Sequence, residues 1–594
     1  MCGISGMFGQ PDINVIHAMN ALQIHRGPDG QDAWTDETLA LGHTRLAIVD
    51  RAGGDQPIYG PAGEILVANG EIYNHNELRH RNNTYPWTSN VDSEAIMALY
   101  SKAKQQQTTG SLSARQHAAW INQLDGMYAF CLWDPKEQRL LLARDPLGIK
   151  PLVRTHVDGS LLFASEAKAL RAHEGHTPTF DEAALIARLA WEYPLDGTTL
   201  LKGVHQVRAG TVEVWSMENG KPTMIDKANV ERQALSPESS WNPSTQAGHL
   251  LESFVDGVSQ RLMGEVPMGI VLSGGLDSSL VAAVAHEAAQ RAGQPVPECW
   301  TVAESEDNPD WIAAETVASS LDLKHHQHIL EADSFDKRLP DLTWHGEDFD
   351  VTVLFFQPLF QKMAEKVTVG LCGQGADELH AGYPRYRDLG QHARLIDARL
   401  ASMDHPMARQ IEQGNLPIGD AWYTNDHSGS AHTDSLESFL NFELEHGQLT
   451  NFQLRLVDRH SMAHSLEVRV PFLGSAHRKA TNNLPMDWRL PASLEEKAAL
   501  RAAADLTQLP PEIVRRPKLP AGRATSPGLI TTLIEELRPR GDEVLKRYPR
   551  LAKAFKGQPE LAIGIGLFEA IHILDRGATR PQKSAIALLD EVVG

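Results

Sequence analysis

A cysteine at position 2 is the first residue of this chain that could do chemistry. Removal of Met1 would make Cys2 the N-terminal residue, with its thiol beside its own α-amine. The thiol could then attack a carbonyl carbon, and the amine, which titrates at about pH 8, could take the thiol proton. Because most cysteines are small buried apolar residues, Cys2 needs support from residues elsewhere in the chain.

A glycine-rich loop is the second such feature. An apolar run at residues 266–272 is followed by Ser273-Gly274-Gly275-Leu276-Asp277-Ser278-Ser279 and then by a helical pattern. Two glycines let backbone N–H groups approach an oxyanion, the hydroxyls add donors, and a helix N-terminus carries a partial positive charge. The loop lacks the GK[ST] of a Walker motif. We therefore expect it to hold a phosphate group by its backbone and hydroxyls.

Two carboxylates follow another predicted strand, residues 367–371. The sequence after it is Cys372-Gly373-Gln374-Gly375-Ala376-Asp377-Glu378. Because parallel strands end at one edge of a sheet, Asp377 and Glu378 should face the same crevice as the glycine-rich loop. They suit a metal contact or an amine-bearing substrate. An acidic first turn of a helix would explain either residue alone.

The first hundred residues contain groups complementary to an amino acid. The guanidinium fork of Arg45 could hold a carboxylate, and Glu71 and Asp92 could accept an ammonium group. The side chain of Asn69 and the N–H of Gly70 could form an oxyanion hole. Each also has a plainer reading, and that of Asn69-Gly70 as a hairpin turn is the strongest.

The elements that must position these residues follow two patterns. Residues 1 to about 210 contain short β segments broken by glycine (4–8, 39–49, 64–68, 127–133 and 139–143) and one clear helix (93–104), which predicts two stacked antiparallel sheets with flanking helices. The polar, proline-bearing stretch 217–245 is typical of a connector. Alternating strands and helices then predict a doubly wound parallel sheet, with segments 266–272, 278–291, 298–302, 310–321, 325–330, 354–366 and 367–371. Residues after about 385 read mainly as helix.

Composition limits the function classes. A chain of 594 residues, with 42% hydrophobic and 22% charged residues, predicts a soluble protein of two or more domains. Its net charge of −21 makes nucleic acid an unexpected partner. Four scattered cysteines without a CxxC pair argue against zinc or a disulfide framework. We see no apolar run of about 18 residues and no leader, and we expect a cytoplasmic protein without a membrane partner.

Taken together, these strings resemble known families. Cys2 and the group around Asn69 resemble the class II glutamine amidotransferase domain, and the glycine-rich loop resembles the ATP pyrophosphatases. The whole chain resembles the glutamine-hydrolysing asparagine synthetase family, with further matches at 26–29, 143–145, 163–166, 461–473 and 497–501. The resemblance implies an α/β protein: an αββα sandwich of the N-terminal nucleophile type at 2–210, a connector at 211–245, and an ATP pyrophosphatase-type synthetase domain with a helical C-terminal part at 246–594.

The resemblance also implies roles for individual residues. Catalytic roles fall to Cys2, Asn69, Gly70, Asp377, Glu378 and Lys497. Glutamine would be held by Arg45, Ile48, Asn69, Gly70, Glu71 and Asp92. ATP would be held by Leu272, Ser273, Gly274, Gly275, Leu276, Asp277, Ser278, Ser279, Ala303, Cys372, Gly373 and Lys497, and Mg²⁺ by Asp277 and Asp377. The expected substrates are glutamine, ATP and a carboxylate, first of all aspartate; a homodimer stays open as the assembly.

One departure from the family bears on the acceptor. Well-studied asparagine synthetases carry a glutamate linked to the adenylate step where this chain has Gln374, and Cys372 and Ala376 replace serines. An amide cannot act as a base. Either Asp377, Glu378 or Glu347 takes the proton, or ammonia reacts unaided, or the acceptor is another carboxylate, such as a peptide, sugar acid or natural product.

Two further alternatives carry less weight. A β-lactam-forming relative would need no working glutaminase. A non-catalytic paralogue would not need the intact set of Cys2, Arg45, Asp92, Asp277 and Lys497.

Overall fold

Two six-stranded antiparallel sheets form the N-terminal part of the molecule. The computed structural model describes residues 2–108, 110–195, 197–230, 234–413, 416–418, 421–423, 433–493, 495–518 and 525–594. The strands of the two sheets are β1 Gly3–Phe8, β2 Gly30–Thr35, β3 Leu39–Arg45, β4 Ile58–Tyr59, β5 Ile65–Ile72, β6 Gly126–Asp134, β7 Arg139–Arg144, β8 Val153–Val157, β9 Ser160–Ala164, β10 His205–Gln206, β11 Thr211–Glu218 and β12 Lys221–Asn229. The first sheet has the order β10-β8-β9-β1-β3-β2 and the second β12-β11-β7-β6-β5-β4.

These sheets are the two inner layers of a four-layer sandwich. Apolar side chains of β1 and β3 pack against those of β5, β6 and β7 in a core between the sheets. Helix Ile13–Leu22 covers the outer face of the first sheet, and helix Glu182–Trp191 packs against helices Leu389–Ser402 and Pro406–Glu412. Helices Glu94–Gln106 and Ala114–Ile121 cover that of the second, and a short helix, His75–Arg81, follows β5. The predicted αββα arrangement is confirmed.

The connector predicted at 211–245 is wrong over its first half. Residues 211–229 form the hairpin β11–β12 at the edge of the second sheet, and the polar segment around Asn219-Gly220 is its turn, with both residues at positive φ. Turn residues between two strands have the same composition as a linker, so the sequence pattern could not separate them. The following helix, Pro243–Arg261, also starts inside the predicted connector, where Asn242 caps it.

A five-stranded parallel sheet forms the centre of the second half. Its strands are β13 Met268–Val271, β14 Glu298–Ala303, β15 His325–Ile329, β16 Val369–Leu371 and β19 Glu467–Arg469, with β17 Leu416–Ile418 and β18 Ala421–Tyr423 forming a separate hairpin. The order β15-β14-β13-β16-β19 reverses direction between β13 and β16. Such a switch point opens a crevice at the carboxyl ends of the strands, where ligands bind. The doubly wound prediction is confirmed.

Helices make up most of the remainder, as predicted. They are Leu276–Ala283, Ala285–Ala292, Pro309–Ser320, Ala332–Phe335, Leu339–Gly346, Phe356–Ala364, Ala376–His380, Leu389–Ser402, Pro406–Glu412, Leu436–Glu445, Leu454–Met462, Ser475–Asn482, Met486–Arg489, Ala498–Ala504, Pro511–Val514, Pro527–Leu545, Pro559–Phe568 and Ala585–Val593. The helix predicted at 278–291 is divided at Val284. The sequence pattern missed β19, whose three residues are too few to show a period. Within the described residues, no helix has the length and apolarity to span a bilayer.

Buried charges join the two halves. Arg26 of the first half lies 2.9 Å from Asp458 of the second, and Lys150 lies 3.4 Å from the same carboxylate. Both basic side chains are fully buried. Removing one partner of such a pair leaves an uncompensated buried charge, which costs about 3–5 kcal/mol. These ion pairs therefore link the two halves of the chain.

Candidate active sites

Cys2 lies where the two antiparallel sheets meet. It precedes β1, and its backbone N–H donates a 3.1 Å hydrogen bond to Oδ1 of Asn69 on β5. The Nδ2 of Asn69 is buried and has no hydrogen-bond partner among the described residues. Burial raises the pKa of the Cys2 thiol, and the nearby N–H of Leu46 and the guanidinium of Arg45 oppose this. The free amide donor thus lies beside the predicted nucleophile.

Gly70 is required by close packing. A Cβ built at this position would lie 2.1 Å from the backbone oxygen of Met127 and 2.6 Å from Cα of Tyr128, on the neighbouring strand β6. No larger residue fits without moving a strand. The Asn69-Gly70 pair is therefore part of β5 and not a hairpin turn, which removes the plainer reading of this dipeptide.

Arg45 is the last residue of β3, and Ile48 lies in the loop that follows and folds around the Arg45 guanidinium. The guanidinium of Arg45 donates to the carbonyl of Asp50 at 2.7 Å and to Oδ1 of Asp55 at 2.8 Å. Ile48 is buried in the same loop, and its carbonyl accepts a 2.9 Å hydrogen bond from Glu265 N of the second half. The strand predicted at 39–49 ends at Arg45 for this reason, since the loop turns around the guanidinium.

Glu71 and Asp92 form a buried acidic pair. Oδ2 of Asp92 accepts a 2.6 Å hydrogen bond from Ile72 N. Burial raises the pKa of Asp92 to about 6, and burial together with Glu467 and Asp92 raises that of Glu71 well above its usual range. Oε2 of Glu71 has no hydrogen-bond partner among the described residues. A cationic group would relieve this cluster.

Two residues of the cluster come from the other half. Glu467 and Arg469 on β19 are fully buried, and Nη2 of Arg469 lies 3.5 Å from Oε2 of Glu71. Sequence reasoning assigned them no role. The alternation of charged and apolar residues in Glu467-Val468-Arg469-Val470 was the available signal, because it places both charges on one face of a strand.

The glycine-rich loop joins β13 to helix Leu276–Ala283. Gly274 has φ +68° and packs against Ala313, whose Cβ a side chain would meet at 2.5 Å. Gly275 caps the helix, and Oγ of Ser278 accepts a 3.1 Å hydrogen bond from Ser273 N. Leu272 is buried below the loop, and Oγ of buried Ser279 has no partner among the described residues. The loop has the form expected of an anion site.

Two aspartates and two lysines meet beside this loop. Nζ of Lys497 lies 2.6 Å from Oδ1 of Asp277 and 2.6 Å from Oδ1 of Asp377, and Nζ of Lys518 lies 2.6 Å from Oδ2 of Asp377. The two lysines hold the pKa of Asp377 well below its usual range against the effect of burial. Gly373 allows the approach, because a Cβ there would lie 2.8 Å from that of Asp277. Asp277, Asp377 and Lys497 therefore meet as predicted, and Lys518 joins them although the sequence did not indicate it.

Glu378 occupies different surroundings from Asp377. It is fully buried, and the hydroxyl of Tyr383 donates to its Oε1 at 3.3 Å. Burial, followed by the charges of Asp377 and Glu443, raises the pKa of Glu378 to about 8. The surroundings therefore shift the pKa values of these two adjacent carboxylates in opposite directions.

A cavity of about 150 Å³ opens between the carboxyl ends of β13, β14 and β16. Asp277, Cys372, Gly373 and Gln374 line it, together with Val302 rather than the predicted Ala303, which ends β14. Burial raises the pKa of the Cys372 thiol to about 12, so the thiol is neutral. A smaller space of about 70 Å³ adjoins Gly275, Leu276 and Lys497.

Comparison with known proteins assigns each half of the chain to a family model. A family model described as a glutamine amidotransferase domain matches residues 1–224, and one described as asparagine synthase matches residues 249–552, over half of the chain. The chain belongs to the asparagine synthase family. The amidotransferase match ends inside the β11–β12 hairpin, and the synthase match begins within helix Pro243–Arg261.

Relatives within the asparagine synthase family match along most of the chain. An asparagine synthetase [glutamine-hydrolyzing] 1 of Bacillus subtilis is 25% identical over 582 residues, covering 87% of this chain and 86% of the relative. That of Mus musculus is 29% identical over 533 residues, covering 87% and 83%. That of Asparagus officinalis is 33% identical over 402 residues, covering 64% and 60%.

Proposed function

We propose that this protein is a glutamine-hydrolysing asparagine synthetase. One observation carries the proposal: a single chain holds both the Cys2–Asn69 arrangement and the cluster of Asp277, Asp377 and Lys497. In the first site the thiol attacks the side-chain amide of glutamine, ammonia leaves, and water releases glutamate from the thioester. Nδ2 of Asn69 and the N–H of Gly70 stabilise the oxyanion.

Recognition of glutamine in this proposal uses groups of opposite sign. Arg45 meets the α-carboxylate, and Glu71 and Asp92 meet the α-ammonium, with Ile48 closing the pocket as part of the loop around Arg45. The raised pKa values of both acids support this role, because an ammonium group relieves the repulsion between buried carboxylates.

ATP is bound by the second site. Residues 272–279 hold the phosphates, Val302, Cys372 and Gly373 lie near the nucleotide, and Lys497 with Lys518 meets the pyrophosphate. Asp277 and Asp377 fit Mg²⁺, since that ion binds through one or two carboxylates plus substrate phosphates. When bound, it would neutralise charge that develops on the phosphates. The acceptor carboxylate becomes an acyl-adenylate, and ammonia from the first site displaces AMP.

We extend the proposal to a cytoplasmic homodimer. The four cysteines form no disulfide, which supports a location in the cytoplasm.

A reconstitution assay tests the proposal. Purified protein is incubated with glutamine, ATP, Mg²⁺ and aspartate, and glutamate, pyrophosphate and asparagine are measured in the same samples. We expect one pyrophosphate for each asparagine, and the same with ammonium chloride in place of glutamine. Absence of asparagine with both nitrogen sources contradicts the proposal.

A second candidate is an amide synthetase for a different carboxylate. It is favoured by Gln374, which lines the cavity next to Phe355, Phe356 and Val457. A pyrophosphate-release screen with ammonia across amino acids, peptides and sugar acids separates the candidates. Release with another acid and none with aspartate selects the second.

A further inference from the structure

Arg469 lies between the two candidate sites. It ends β19, the strand next to β16, and its carbonyl accepts a 3.0 Å hydrogen bond from Cys372 N. Cys372 begins the segment that carries Gln374 and Asp377. The backbone of Arg469 is thus part of the phosphate-side crevice.

The side chain of Arg469 points to the other site. Its guanidinium approaches Oε2 of Glu71 at 3.5 Å, and its centre lies 5.8 Å from the ring centroid of Tyr73. Both contacts belong to β5 and the residue that follows it, in the first half of the chain. The synthetase half therefore contributes a cation to the pocket around Cys2.

The guanidinium is anchored from behind. Nη1 donates to the carbonyls of Arg261 at 2.7 Å and Met263 at 2.5 Å, and Nε donates to Oε1 of Glu467 at 2.6 Å. Nη2 has no hydrogen-bond partner among the described residues, as is the case for Oε2 of Glu71. The residue is fully buried. Three bonds hold the fork in place, and its free nitrogen is presented to Glu71.

The contact between Arg469 and Glu71 affects the charge balance of the pocket around Cys2. Glu71, Asp92 and Glu467 are three buried carboxylates near the Arg469 guanidinium, and Lys150 also lies near Glu467. Without Arg469 the three carboxylates would repel one another more strongly, and the Glu71 side chain would move. A displaced Glu71 could not accept the ammonium group of a substrate.

We propose that Arg469 is a positioning residue of the glutaminase site, which holds the Glu71 side chain in place to receive the α-ammonium of glutamine. The inference rests on the proposed function. It implies that the glutamine pocket is shared, with one wall supplied by the strand that borders the ATP crevice.

Kinetics of the full-length protein test this role. Arg469→Gln should raise KM for glutamine about tenfold while kcat changes by less than about threefold, because substrate binding loses one well-placed carboxylate. Arg469→Lys restores the charge but not the fork, so its KM should lie between those of the wild type and Arg469→Gln. Arg154→Gln is the matched control, because it breaks a buried pair with Glu213 in the same half and should leave KM unchanged.

A double-mutant cycle identifies the route of the effect. In a Glu71→Gln background, Arg469→Gln should raise KM by less than about twofold, since the shared partner is already gone. Ammonia-dependent pyrophosphate release serves as the folding check. An unchanged KM in Arg469→Gln, an equal effect in both backgrounds, or parallel loss of both activities would overturn the inference. If the wild type itself hydrolyses no glutamine, the proposed function fails instead.

Discussion

The acids that we propose to meet ligands have opposite pKa shifts in the two sites. Around Cys2, burial and neighbouring carboxylates raise the pKa values of Glu71 and Asp92. Around the glycine-rich loop, two aspartates share two lysines, and the pKa of Asp377 is lowered. Glu71 and Asp92 are thus short of a cationic partner, whereas Asp377 already has two.

This difference follows the ligands that we propose. An ammonium group entering the first site supplies the missing charge, so the pocket is formed in advance for a cationic group. In the second site the lysines and aspartates now contact each other, so binding of phosphates and Mg²⁺ would require Lys497 and Lys518 to contact phosphate oxygens and Asp277 and Asp377 to hold the metal. We infer that recognition is preformed at the first site and rearranges at the second.

The largest effect expected is that of Cys2→Ala. It removes the nucleophile of the first site only, so glutamine hydrolysis should fall by at least about 10⁴-fold while ammonia-dependent synthesis stays near the wild-type rate. A chain that keeps Met1 should behave alike, because its α-amine no longer adjoins the thiol. Glutamate and pyrophosphate are measured in parallel. Equal loss of both activities would show that Cys2 is structural.

Asp277→Asn should have the opposite signature. The substitution keeps the side-chain size and removes one carboxylate of the balanced cluster, so pyrophosphate release should fall by about 10²–10³-fold with either nitrogen source. Glutamine hydrolysis, which does not use this cluster, is the internal control. Pyrophosphate release near the wild-type rate would contradict the assignment of the glycine-rich loop to the ATP site.

Many residues of the two sites could be predicted from the sequence because they lie within local motifs. Asn69, Gly70 and Glu71 are consecutive, and the glycine-rich loop is continuous. Asp277 and Asp377 were expected to meet because both follow parallel strands, and both contact Lys497. The order of strands and helices along the chain is enough to predict this meeting.

The remainder depends on contacts that no local pattern contains. Lys518 reaches Asp377 across 141 positions of sequence, and Arg469 reaches Glu71 from the other half. Glu378 is adjacent to Asp377, yet its side chain contacts Tyr383 instead of the lysines. Which side of a short helix faces a ligand is decided by packing, and five residues are too few to show it.

Gly70→Ala tests whether the first site depends on the close packing of β5 against β6. The added Cβ would meet β6 at 2.1 Å, so β5 must shift and Asn69 with it. Glutamine hydrolysis should fall about 10²-fold, as for loss of an oxyanion-hole donor, with ammonia-dependent synthesis retained. Gly30→Ala is the matched control, because its Cβ would lie 3.7 Å from that of Arg45 in ordinary contact. Equal rates for the two variants would contradict the packing argument.

The acidic pair predicts a pH dependence of glutamine affinity. The pKa of Asp92 is raised to about 6, so the free carboxyl is protonated below that pH and ionised above it. An ammonium group binds the ionised form, so affinity should weaken by up to about tenfold per pH unit as the pH falls below 6, and the raised pKa of Glu71 should extend the dependence to higher pH. Calorimetry on Cys2→Ala between pH 5 and 8 avoids turnover. Asp92→Asn should weaken affinity and flatten the profile; a flat profile for the Cys2→Ala parent would contradict the assignment.

The smallest effect expected is that of Gln374→Glu, and it bears on the acceptor. Glutamate is nearly the same size, so packing in the cavity should change little. Its charge would join Asp277 and Asp377 on the cavity wall, where Lys518 and a bound Mg²⁺ can offset the repulsion. If aspartate is the acceptor, asparagine formation should stay within about threefold of the wild type or improve. If the amide of Gln374 instead donates to another acceptor, the added charge should cost about 2 kcal/mol or more in kcat/KM for that acid. If neither the wild type nor Gln374→Glu forms asparagine from aspartate, ATP, Mg²⁺ and ammonia, aspartate is not the acceptor. The second candidate, an amide synthetase for a different carboxylate, would then be favoured.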